Sequence, residues 1–128
     1  MQFNPRDYQA YMIDRAVNLP AVALWARPGL GKTPTTLSVI DELMCNRAEI
    51  KKCLIVAPLR VAQIVWPDEV QKWGNFKYLT VSKVLGSEKN RLEALSDQAA
   101  IYTINRENLK WLAELYAEKW PFDMVVLD

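Results

Sequence analysis

The residues with the clearest chemistry are Ala26-Arg27-Pro28-Gly29-Leu30-Gly31-Lys32-Thr33. Gly29 and Gly31 carry no side chain, so the backbone can wrap there with its N–H groups turned inward around an anion. Lys32 would bring an ammonium to the β- and γ-phosphates of a nucleotide, and the Thr33 hydroxyl is a ligand for Mg²⁺. Arg27, Pro28 and Leu30 complete the loop. Pro34 falls in the first turn of the following helix, where a missing N–H does no harm. Gly-Leu-Gly alone also serves as a tight turn. What distinguishes a phosphate loop is register: an apolar strand before the glycines, then Gly-Lys-Thr and a helix. Alanine stands where the first glycine of such loops is usual, and a methyl group pointing away from the phosphates is tolerated there.

The second chemical group closes Phe122-Asp123-Met124-Val125-Val126-Leu127-Asp128, an apolar strand ending in a carboxylate. Asp128 placed there could hold Mg²⁺ through a water. Strands also end in Asp for turn reasons. It is the pairing with the upstream loop that makes Asp128 a candidate. Lys32 and Asp128 are thus the expected catalytic groups, and Thr33 and Asp128 the expected metal groups.

Composition removes several competing chemistries. The 128 residues contain no histidine, which excludes imidazole acid/base catalysis, a Ser-His-Asp triad and His-ligated metal. Sixteen Lys and Arg against fifteen Asp and Glu give a net charge of +1, so any nucleic-acid contact must be local. Cys45 and Cys53 cannot build a Cys-rich zinc site, and a reduced, packed pair in a cytoplasmic protein is expected. The amino-terminal residues lack a signal-peptide order. No apolar run approaches the ~20 residues that span a bilayer, so no membrane partner is expected.

The elements that must position these groups alternate. Short apolar runs at 21–26, 53–57, 79–84, 100–103 and 124–127 predict strands, and their continuous apolarity predicts burial on both faces. Leu37, Ile40, Leu43 and Met44 lie three or four apart, as do Leu109, Leu112, Leu115 and Tyr116, each set predicting one apolar helix stripe. Trp66-Pro67 predicts a break near 66 with a new helix from Pro67. Gly86-Ser87 predicts a turn and an N-cap for a helix carrying Leu92 and Leu95. A leading helix is expected over 5–17. The rhythm is that of βαβ units: an α/β fold, one domain over 1–128, with an open, mostly parallel central sheet that binds ligands at the carboxyl ends of its strands.

On these residues the chain resembles the first RecA-like lobe of a superfamily 2 helicase, most closely the Snf2-like group. The resemblance implies a three-layer P-loop NTPase domain that binds ATP and Mg²⁺. Arg6-Asp7-Tyr8-Gln9 is similar to the family's adenine-reading motif, which makes Gln9 the base-reading candidate. The stretch from Ala57-Pro58 to Lys72-Trp73 looks like the motif Ia region, where the strand-to-helix corner touches the DNA backbone and Arg60 is implied in phosphate contact. Trp66 and Trp73 are expected to pack the lobe rather than stack on bases. Thr103-Ile104-Asn105-Arg106-Glu107-Asn108-Leu109 resembles a further motif. Thr103 and Asn105 are helix caps there and candidate DNA-phosphate contacts.

Val-Val-Leu-Asp at the end resembles motif II, whose family form continues with glutamate. The glutamate that would deprotonate the attacking water, and a second lobe with its arginine fingers, are expected outside these residues. The expected partners are that lobe and DNA, in a prokaryotic or phage-infected cytoplasm. Without them, the expected behaviour is nucleotide binding with little turnover. A stand-alone nucleotide- or DNA-binding regulator is the alternative. A small P-loop phosphotransferase is the other, though no run of arginines suits its lid.

Overall fold

The computed structural model of the chain describes residues 32–48 and 50–128. These fall into two compact units, one holding 32–48 and 69–78, the other 50–68 and 79–128. The strand expected over 21–26 and the helix expected over 5–17 lie outside the described residues.

The second unit is built on a four-stranded parallel sheet. Its strands are β1 (Cys53–Ala57), β2 (Val81–Val84), β3 (Ile101–Asn105) and β4 (Met124–Leu127), in the order β2-β3-β1-β4. Cys53 stands level with both Ile101 and Met124, and Val56 with both Ile104 and Leu127, so the three strands end side by side. The four runs of the sequence analysis that fall on described residues are these strands, with ends moved by at most two residues. Every residue of β1 is buried, and so are the first four of β3, as continuous apolarity requires. The expectation fails for β2 and β4. Lys83 is exposed in β2, while Val125 and Leu127 are 43% and 63% exposed in β4, because these strands end the described sheet.

One face of the sheet carries Leu54, Val56, Val84, Tyr102 and Ile104, which join Ala94, Leu112 and Phe122 in a single apolar cluster. Ala94 belongs to α3 (Glu88–Ser96) and Leu112 to α4 (Leu109–Tyr116). Ser87 caps α3 as expected, its Oγ accepting from the Asn90 N–H at 3.2 Å, and Gly86 supplies the turn at φ +87°. On α4 the predicted stripe is only half realised: Leu112 is fully buried, but Leu115 is 45% exposed. Phe122 is ringed edge-on by Tyr102, Tyr116 and Trp120 at 5.4, 6.1 and 5.2 Å. The Tyr102 hydroxyl donates to the Asp97 carbonyl at 2.6 Å and accepts from the Ala99 N–H at 3.2 Å, which satisfies its one polar atom inside the core.

The expected break before Pro67 is a widened turn instead. Residues Val61–Val65 form a π turn, closed by the Trp66 N–H on the Val61 carbonyl, and α2 (Trp66–Lys72) follows without interruption. Pro67 lacks the N–H for an i−4 bond and its ring crowds that carbonyl, so one extra residue per turn relieves both problems.

In the first unit α1 (Lys32–Asp41) continues into a π turn, Glu42–Asn46. Thr35, Thr36, Leu37, Val39 and Ile40 are all buried, which is broader than the predicted stripe at Leu37 and Ile40, whereas Leu43 and Met44 fall in the π turn and are only half-buried. A helix buried on several sides, polar threonines included, is one enclosed by its surroundings. The Tyr78 hydroxyl donates to Asp41 Oδ1 and lies 2.8 Å from Cys45 Sγ. Burial, with Glu42 beside it, raises the Asp41 carboxyl above its ordinary value.

Both cysteines are free thiols. Burial pushes Cys53 up to about 12, which suits an inert core thiol. Cys45 is exposed, so the expectation that both would be packed holds only for Cys53.

Asp123 fastens the start of β4. Its Oδ2 accepts from the Lys51 and Lys52 N–H groups at 2.8 and 3.1 Å, while its own N–H donates to the Lys52 carbonyl at 2.9 Å. The backbone donors of Lys51 and then Lys52 hold the carboxyl below its ordinary 3.8. A depressed native value means the stabilisation is complete above the unfolded value and is lost as pH falls through the native one. Asp123→Asn should therefore cost about 1 kcal/mol at pH 7, discounted for solvent exposure, and less at pH 3, below the ordinary value. Urea titrations at the two pH values measure the difference; an equal loss at both would show that charge plays no part.

Candidate functional site at the carboxyl ends of the strands

The parallel register delivers the residues after β1, β3 and β4 to one edge of the sheet unit. Arg60, just after β1, is exposed and precedes the π turn without a side-chain capping bond. Asn105 ends β3, and the 3-10 turn Arg106–Asn108 follows. Asp128 directly follows β4.

Three contacts bear on the position of Asp128. Its N–H donates to the Val56 carbonyl at 2.8 Å, which extends the β1–β4 ladder by one step. Arg106 Nη2 donates to its main-chain oxygen. The indole Nε1 of Trp66 donates to its carboxylate Oδ2 at 3.1 Å. Trp66 is fully buried, so its packing role is as expected. Its grip on Asp128 across 62 positions of chain was not anticipated. A buried indole N–H usually finds an acceptor. That rule could have flagged Trp66, but not which acceptor it finds. Arg106 was passed over as well, although it adjoins Asn105.

Asn105 does not cap the 3-10 turn. Its Nδ2 donates to Glu107 Oε2 at 2.9 Å and its Oδ1 accepts from Asn108 Nδ2 at 2.7 Å, so a chain of side chains sets its amide. The Glu107 carboxyl lies below its ordinary value, chiefly through its own backbone N–H and then through Asn105. Thr103 is the correction: it lies within β3 with no exposed surface, and among the described residues its Oγ1 has no hydrogen-bond partner. A residue enclosed in the sheet neither caps a helix nor meets a DNA phosphate. The apolar pattern of β3 simply extends through it.

Lys32 and Thr33 are the first two residues of α1. Gln9, Arg27, Pro28, Gly29, Leu30 and Gly31 lie outside the described residues. Among the described residues no three His, Cys, Asp or Glu side chains gather as a metal cage. Mg²⁺ keeps several waters and takes one or two protein oxygens beside substrate phosphates. Asp128 offers a hard oxygen donor of that kind. No helix among the described residues is long and apolar enough to cross a membrane.

A parallel α/β sheet binds ligands at the carboxyl ends of its strands, and it is there that this sheet unit sets the Asp128 carboxylate. Residues 8–123 match the model of the SNF2-related domain, and the chain belongs to that family. It is 39% identical over 127 residues to protein p41 of Acyrthosiphon pisum secondary endosymbiont phage 1, an alignment covering 98% of this chain and 28% of that protein. Among solved structures it is similar to the Sulfolobus solfataricus SWI2/SNF2 ATPase core in complex with dsDNA. The TM-score is 0.79 at 21% identity, over 100% of this chain and 26% of that one. It is also similar to a nuclease-deletion mutant of the Type ISP restriction-modification enzyme LlaGI in complex with a DNA substrate mimic. There the TM-score is 0.65 at 19% identity, over 98% of this chain and 15% of that one. The chain thus shares the fold of the SNF2 ATPase core and spans about a quarter of the relatives' length.

Proposed function

We propose that these 128 residues are the ATP-binding lobe of a DNA-dependent ATPase that translocates on, or unwinds, DNA. The observation that carries this reading is the family match over 8–123, with Lys32 and Thr33 opening α1 and Asp128 at the end of β4. In this reading the loop 26–33 and Lys32 bind the phosphates, Gln9 reads the adenine, and Thr33 and Asp128 supply oxygen donors to Mg²⁺. The cation would neutralise charge developing on the transferred phosphoryl group. Arg60 and Asn105 meet the DNA backbone from the strand ends, where Arg60 is exposed and Asn105 has its amide orientation set. Two relatives of the same fold were solved with DNA or a DNA mimic, which supports DNA as the partner.

Turnover in this reading draws on a second lobe and a general base beyond these residues. The 128-residue chain is therefore expected to bind MgATP and to release phosphate at no more than a trace rate, with or without DNA. Fluorescent-nucleotide titration and a phosphate-release assay measure the two. Robust DNA-stimulated hydrolysis by these residues alone would refute the division of labour, and failure to bind nucleotide would refute the reading itself.

A further inference from the structure

We infer that Trp66 is a positioning residue for the Asp128 carboxylate, and that its indole N–H, rather than its bulk, sets the strength of the metal site. This rests on the reading of Asp128 as the Mg²⁺ carboxylate. An aspartate at a strand end has two free side-chain torsions, and without a fixed partner its oxygens would sample several directions. Here the strand ladder holds the main chain through Val56, Arg106 donates to its main-chain oxygen, and Trp66 reaches the carboxylate itself. The donor is rigid as well as buried: the indole has no exposed surface, begins α2 and follows the π turn imposed by Pro67. A donor fixed in this way engages Oδ2 and so limits the rotation of the whole carboxylate. Hydrogen-bonded partners behind a metal ligand commonly set its affinity by 10- to 100-fold.

Trp66 and Arg106 also follow the two segments that carry Arg60 and Asn105. The same stretches of chain that present the DNA-facing candidates therefore end on Asp128, which gives a covalent and hydrogen-bonded route between the two.

The test uses Trp66→Phe in the full chain, which removes the N–H and keeps an aromatic ring. The Mg²⁺ concentration that half-saturates nucleotide retention should rise roughly 10-fold, while nucleotide affinity in EDTA stays at the wild-type value. A merely structural role would lower both together or neither. Unchanged Mg²⁺ dependence in a folded variant overturns the inference and leaves the nucleotide reading standing. If the wild-type chain binds nucleotide with no dependence on Mg²⁺, or not at all, both fall. Should the variant not fold, the wild-type protein decides. The Trp66 indole ¹⁵N–¹H resonance, assigned by substituting the other four tryptophans in turn, should shift when Mg²⁺ is added to the nucleotide-bound chain. No shift overturns the inference.

Discussion

Lys32→Ala is expected to weaken nucleotide binding by about 100-fold or more, corresponding to the ~3 kcal/mol of a charge-assisted contact with phosphate. The substitution deletes the ammonium and leaves the loop glycines in place. Lys32 is the first residue of α1, and alanine favours a helix at least as well as lysine, so the thermal midpoint should hold. Titration with fluorescent ATP, alongside a melting curve, separates lost binding from lost structure. Unchanged affinity would remove the phosphate loop from the function altogether. A parallel loss of midpoint and affinity would mean that the lysine supports the fold rather than the ligand.

Tyr102→Ala should be the most damaging single change to the sheet unit, about 4 kcal/mol, or roughly 12–20 °C in midpoint. The ring is 1% exposed and meets Phe122 edge-on, so truncation opens a cavity at the centre of the apolar cluster. It also strips partners from the Asp97 carbonyl and the Ala99 N–H. Tyr102→Phe separates the two effects. Keeping the ring and losing only the hydroxyl should cost about 1–2 kcal/mol. Denaturant unfolding of both variants measures them, and equal losses would mean the hydroxyl carries the whole effect. Neither substitution touches the strand-end residues, so a folded Tyr102→Phe protein should bind nucleotide as wild type does.

Much of the fold was legible in advance because burial on both faces writes itself into sequence as unbroken apolar runs. Cys53–Ala57 could be bounded to the residue on that signal. Ser87 and Gly86 were legible for a different reason: a cap and a positive φ are satisfied within a few residues of chain. Where the reading failed, the deciding partner was distant in sequence or the environment was unequal. β4 has the same apolar composition as β1, yet its place in the sheet leaves Val125 and Leu127 exposed. Thr103 has the polar group of a cap, but its place mid-strand encloses it.

The candidate site divides along the same line. Sequence by itself determined which groups are available for chemistry: the glycines, ammonium and hydroxyl of 26–33, a carboxylate closing an apolar strand, and no imidazole anywhere. These depend on residue type and local spacing, which the chain states outright. Only the tertiary structure decided how Asp128 is held, because the order β2-β3-β1-β4 sets β4 beside β1 and so brings a carboxylate to an indole 62 residues away. A hydrogen bond across that separation depends on sheet order and helix placement, and neither is encoded in any local stretch of residues.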